Sequence, residues 1–249
     1  MRRPIAISLA FLAAVPLLAG VAGLPVHGDP SAPVHTHVSA RYIEHGVEEA
    51  GASNLVTGVL LNYRGLDAAG EVTVIFTALI AVLAVLTVAS TRDADASNHD
   101  GRVRRSDADR RHPDHPVSPI VHFVVRLIAP FTALYAAYVI LHGHVTPGGG
   151  FQGGAILGGL FIALTMVLGK ERTRPLVRPV LAPWMQGAAV LTFAAVGAVG
   201  ALLTGVYLGF PVDPSLRIVR DLMLIALEVG IALGGAAVLA MIFLQMEAS

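Results

Sequence analysis

Six apolar runs of about twenty residues are the feature that most constrains how this chain folds. They fall at roughly 4–24, 69–89, 119–142, 151–169, 183–204 and 221–245. Each is close to the ~20 residues a helix needs to cross ~30 Å of hydrocarbon. A bilayer offers no water to an unpaired backbone amide, so runs of this kind fold as helices. Composition agrees: the chain is 55% hydrophobic and only 14% charged, against about 25% charged in soluble domains, and its mean hydropathy is +0.70. The expectation is an all-α, polytopic protein of the cell membrane with about six transmembrane helices. The first run follows Met1-Arg2-Arg3 and has two readings, a cleaved secretory signal or a retained helix. Its length exceeds the usual 7–15-residue core of a signal, which favours the helix.

Basic residues orient the spans, because Lys and Arg close to a span resist translocation. One set of loops holds Arg2, Arg3, Arg92, Arg102, Arg104, Arg105, Arg110, Arg111, Lys170, Arg172, Arg174 and Arg178, whereas the other holds only Arg41, Arg64, Arg217 and Arg220. This asymmetry places both termini in the cytoplasm. Residues 91–118 mix both charge signs with Pro and His and show no apolar period, so they cannot bury enough surface to order themselves. The chain therefore divides into a two-span block at 1–90, a charged cytoplasmic linker at 91–117 and a four-span domain at 118–249. No internal repeat links the two halves, which argues against a self-contained inverted-repeat transporter. On the outer side, Asn54 to Tyr63 offers about ten mostly apolar residues, too few to span and suited to a re-entrant or interfacial helix. Gly65 and Gly70 are expected to break it before the second span.

Several residues in these runs carry chemistry. Arg64, Asp67 and Glu71 sit three and four residues apart at the lip of the second span, on one face of a helical path. Carboxylates at membrane depth are costly unless paired or hydrated and usually mark ion or proton paths. An interfacial Arg64–Asp67 salt bridge is the structural alternative, while Glu71 lies deeper and suits a path. Glu228 lies seven residues past Asp221, about 10 Å into the last run, with no basic residue after it on that helix. Such an acid serves either a proton relay or a hydrogen bond between helices. His122 and Arg126 form an i, i+4 pair, which is either polar machinery or a snorkelling arginine with a neighbour. Pro130 removes the donor for the Arg126 carbonyl and should kink that helix.

The densest motif is HGHVTPGGGFQGGAILGG, His142 to Gly159. Gly150, Gly154 and Gly158 recur every four residues, as do Gly149 and Gly153, which allows close helix approach. Pro147 with Gly148 and Gly149 suits a short turn. Gln152 reads as a hydrogen-bond bridge between helices. His142 and His144 lack a third ligand nearby, so no metal site is expected. Cysteine is absent and formal net charge is zero, which removes thiolate chemistry and any global basic field for nucleic acid. No phosphate loop, nucleophile elbow or zinc signature is present, so neither enzyme chemistry nor a cofactor is indicated.

These residues also carry a resemblance. HGHVTPGGGFQGG, preceded by VSPIVHFVVRLIAPF, resembles the B-type chain (MnhB) of the multisubunit Na+/H+ antiporters called Mrp or Mnh, over roughly residues 117–249. Arg41 to Phe76 resembles the last membrane segment of the same antiporter's large A-type chain, itself similar to the small E-type chain of membrane-bound hydrogenases. The resemblance implies a non-catalytic membrane component that works beside partners of the A, C, D, E, F and G types in exchanging Na+ for H+. The family's RGFDTLGE pattern is matched here by Arg64, Gly65, Asp67, Gly70 and Glu71, the glutamate being the position associated with cation transport. Glu228 stands where this family tends to carry an acid before a glycine. Ala68-Ala69 in place of Thr-Leu and the 91–118 insertion depart from the family. Two other classes stay open: an ion-translocating component of a hydrogenase-like redox complex, and a purely structural scaffold.

Overall fold

The structure is a computed structural model that describes residues 2–99, 117–173, 175 and 182–248. Among these every regular element is helical. The chain forms two compact units, Met1–His45 and Gly46–Ser249. The helices are α1 (Arg2–Ala22), the single turn α2 (Pro33–Thr36), α3 (Val38–Ala50), the single turn α4 (Leu55–Gly58), α5 (Gly65–His99), α6 (Pro119–Leu141), α7 (Gly150–Leu168), the single turn α8 (Lys170–Thr173), α9 (Ala182–Thr204) and α10 (Arg217–Ala248).

Among the described residues, five helices are long and apolar enough to cross a membrane: Gly65–Val85, Pro119–Leu141, Gly150–Leu168, Ala182–Thr204 and Pro214–Met246. The first expected span corresponds to α1, whose Ile7–Ala22 portion is apolar but shorter than these. In the first unit, Asp29 accepts from Ser31 N–H at 2.8 Å and from its hydroxyl at 2.7 Å, closing a small polar turn. α1 continues through Pro16.

In the second unit α10 is central and packs against α5, α6, α7 and α9. Within lipid no hydrophobic drive pulls helices together, so small residues that admit close backbone approach decide the packing. A methyl group at Gly154 would lie 2.8 Å from the Ala232 carbonyl oxygen, and one at Gly158 would lie 2.8 Å from Leu239 Cβ. Both neighbours are on α10. Gly153 turns the other way, toward Ile140 and Ala136 of α6. On the far flank of α10, Leu224, Leu227 and Ile231 join Ala68 and Val72 of α5 and Phe193 of α9 in one buried cluster.

Two features differ from the sequence reading. α5 starts at Gly65 and passes through Gly70 without interruption, because one glycine inside a long apolar helix costs only about 1 kcal/mol. The same helix continues to His99, into the stretch expected to be irregular; the remainder of that stretch, 100–116, lies outside the described residues. α6 contains Pro130, the residue expected to kink it.

Candidate functional site

The site is built where three segments meet: Asn54–Tyr63, the turn His142–Gly149 and the first third of α10. Asn54 caps the first of these, its side chain accepting from Val56 N–H at 3.1 Å. One α-helical turn then widens into a π-helix at Val59–Tyr63, a form that clusters at functional positions because it displaces a backbone turn. Asn54 also ties this segment to the turn. Its backbone N–H donates to the His144 carbonyl at 3.1 Å, and its amide donates to the Gly143 carbonyl at 2.7 Å and the Thr146 carbonyl at 2.9 Å.

The turn bends around the carboxyl group of Glu228. Gly148 and Gly149 have φ of +142° and +143°, conformations that a residue with a Cβ rarely adopts. A side chain at Gly149 would also meet the Glu228 Oε2 atom at 2.8 Å, and one at Gly143 would meet Oε1 at 3.0 Å. Glu228 itself is 3% exposed. It accepts from the Gly150 N–H and from the Thr57 hydroxyl, the latter at 3.2 Å. Gly149, which precedes α7, offers no side-chain cap, so Glu228 supplies an acceptor to one of the four N–H groups that a helix start leaves unpaired. The positive end of the α7 dipole favours negative charge at this point.

The same turn carries a second polar group. His144 Nδ1 is buried without a hydrogen-bond partner among the described residues. Burial, chiefly, holds this imidazole below the usual histidine pKa; Asp221 opposes the shift, while His142 and Arg220 add to it. Arg220 contacts Asp221 at 3.4 Å and lies along Gly51. His142 ends α6 and stacks on Tyr138 with ring centroids 4.6 Å apart. Pro147 is exposed on the turn.

The other sequence-selected residues lie elsewhere. Glu71 is exposed on the flank of α5 and borders an open groove of about 630 Å³ with Asp67, Gly70, Val74 and Phe151. Among the described residues it makes no hydrogen bond or ion pair. Asp67 is ion-paired with Arg64, both about half exposed. Arg126 is exposed and His122 partly so, and no hydrogen bond joins them. Gln152 is exposed on α7 and makes no hydrogen bond within the described residues, so it does not bridge helices there. The buried amide is Gln186 on α9, 1% exposed with neither amide atom partnered, set against Gly234 of α10.

Sequence reasoning missed Asn54, Thr57 and Gln186. A signal existed for the first: Asn immediately before an apolar run is a helix N-cap preference. Gln186 stands out only as a lone amide in a 23-residue apolar helix.

Comparison with known proteins places the chain in a family. Residues 120–244 match the family described as a domain related to the MnhB subunit of Na+/H+ antiporter, and residues 2–99 match the MbhE family, the E subunit of MBH. The chain is 27% identical over 174 residues, 67% of its length, to a probable A/B subunit of a K+/H+ antiporter of Rhizobium meliloti (strain 1021). It is 34% identical over 89 residues, 36% of its length, to an uncharacterised protein of Methanocaldococcus jannaschii. It spans 17% and 30% of those two proteins. Among solved structures it resembles a chain of the membrane-bound sulfane sulfur reductase, an archaeal respiratory membrane complex, with TM-score 0.62 and 29% identity, covering 98% of this chain and 97% of that one. It shares its fold with a chain of the Mrp complex from Dietzia sp. DQ12-45-1b, with TM-score 0.59 and 22% identity, covering 96% of this chain and 26% of that one.

Proposed function

Because this chain belongs to the family of domains related to the MnhB subunit of the Na+/H+ antiporter, we propose that it is a membrane component of a multisubunit monovalent cation/proton antiporter, with no enzymatic activity of its own. The observation that carries the proposal is Glu71, which stands exposed on the flank of a span with no partner among the described residues. A carboxylate facing hydrocarbon alone is costly. That flank is therefore stable in a membrane only when a neighbouring protein covers the groove and supplies water, a counter-charge or a proton. The neighbours are partners of the A, C, D, E, F and G types. Glu228, enclosed by the turn, is the second acid of the path, and the distribution of Lys and Arg puts it in the outer half of the membrane with both termini inside.

Glu71→Gln in the assembled complex tests this. Cation-driven proton exchange in everted vesicles, measured with Na+ and K+ in turn, falls by about tenfold or more, the scale of a lost proton-transfer group. Wild-type exchange in that variant removes Glu71 from the path. A second reading is a component of a respiratory redox complex, favoured by the match that covers nearly the full length of both chains. The redox centres then reside on other chains. Purifying the native complex and identifying its components separates the two readings.

A further inference from the structure

Thr57 is 3% exposed and its hydroxyl carries one hydrogen, yet two acceptors compete for it. The Gly143 carbonyl lies 2.7 Å away and Glu228 Oε1 lies 3.2 Å away. The third neighbour, the Asn54 amide nitrogen at 3.1 Å, is a donor. Asn54 already serves the Gly143 carbonyl at 2.7 Å and the Thr146 carbonyl at 2.9 Å with its two hydrogens. Hydrogen counting then leaves two self-consistent arrangements. With Glu228 ionised, the carboxylate accepts the Thr57 hydrogen and Asn54 alone satisfies Gly143. With a proton on Glu228 Oε1, the new O–H donates to the Thr57 oxygen and the Thr57 hydrogen turns to Gly143.

We propose that Thr57 is a positioning residue for Glu228, whose hydroxyl donates to that carboxyl when it is ionised and, when it is protonated, accepts from it and donates to the Gly143 carbonyl, while Asn54 holds the segment to the His142–Gly149 turn in both states. The proposal rests on Glu228 belonging to the ion path. In the protonation step one O–H bond forms on Oε1, the proton arrives from water in that path, and the carboxyl charge goes from −1 to zero. No bond within Thr57 breaks. Titratable or charged groups on the surrounding elements include Tyr63 on the Asn54–Tyr63 segment, His142 and His144 on the turn, His122, Arg126, Tyr135 and Tyr138 on α6, Asp67 and Glu71 on α5, and Arg217, Arg220 and Asp221 on α10 itself. Among the described residues, no hydrogen bond joins any of them to Glu228. The Asn54–Asn62 segment, α7 and α9 carry no titratable side chain. Glu228 therefore reads its surroundings chiefly through Gly150 and Thr57.

The test measures the pH dependence of Na+- and K+-driven proton exchange in vesicles holding the whole complex. Glu228→Gln, which cannot ionise, loses exchange by about tenfold or more. Thr57→Val removes the hydroxyl at nearly constant shape and moves the acidic limb of the profile up by about one pH unit, the scale of one hydrogen bond lost from a charged acceptor. Thr57→Ser restores the wild-type profile. A wild-type profile in Thr57→Val overturns the proposal, as does an equal shift in Thr57→Ser. Loss of assembly in both Thr57→Val and Thr57→Ala, with Thr57→Ser intact, also overturns it by reducing the hydroxyl to a structural anchor. Wild-type exchange in Glu228→Gln defeats the ion-path reading itself, whereas loss there with no shift in Thr57→Val defeats only the role given to Thr57.

Discussion

Gly154 and Gly159 stand five residues apart on α7 and make a matched pair for testing how this bundle is held. A methyl group added at Gly154 would lie 2.8 Å from the carbonyl oxygen and 3.0 Å from the Cα of Ala232, about half an ångström or more inside van der Waals contact. Both atoms are backbone of α10, so no rotamer change relieves the overlap and the two helices must separate. Over-packing of this kind costs about 1–3 kcal/mol. A methyl group at Gly159 meets nothing within 4 Å, and replacing a helical glycine by alanine there gains up to about 1 kcal/mol. Because that propensity gain is common to both substitutions, Gly154→Ala and Gly159→Ala should differ by the over-packing cost alone, about 2 kcal/mol, with Gly154→Ala the less stable. Melting of the detergent-solubilised complex, followed as loss of the native assembly on heating, reads the difference as about 4–8 °C for a chain of this size. If the two variants melt together, or Gly154→Ala melts later, close backbone approach is not what joins α7 to α10.

Two polar groups give further expected outcomes. His144 prefers its neutral form in the folded protein, so the unfolded chain takes up a proton first as pH falls. The stability it contributes is complete above the ordinary value of 6.5 and is lost as pH drops from there toward its lower folded pKa. Wild-type melting should thus fall below pH 6.5 more steeply than that of His144→Gln, and equal slopes would refute the assignment. Gln186→Met keeps the volume of the side chain and removes two unpartnered buried polar atoms, so melting should be unchanged or raised by the equivalent of about 1–2 kcal/mol. A clear loss of stability would mean that another chain of the complex reaches this amide.

The spans are legible in the sequence because hydrophobic length is a local property, read without knowing what lies beside it. Glu228 and the glycine turn are each visible as well, one as an acid inside an apolar run and the other as a dense motif. Their meeting is not. Gly150 and Glu228 are 78 residues apart, and Thr57 and Glu228 are 171 apart, distances at which no periodicity carries information. The glycines read as packing residues on sequence alone, and Gly154 and Gly158 do lie against α10. Gly143 and Gly149 instead leave room for a carboxyl group that the local sequence does not mention. Gln152 stands out because it sits within the motif, yet it faces outward while Gln186 is enclosed, since helix phase relative to a neighbour decides burial and a single polar residue does not reveal that phase. In sequence Asn54 marks only the edge of a short apolar segment; its role as a clamp depends on carbonyls of the turn about ninety residues later.

That Glu228 serves the start of α7 bears on how the protein is made. Gly149 brings no side-chain acceptor of its own, so while the ribosome has delivered α7 but not yet α10, the Gly150 amide lacks the carboxyl that later receives it. The His142–Gly149 turn closes around its acid only when the final helix enters the bilayer. Biogenesis of this loop therefore runs from the last span backward.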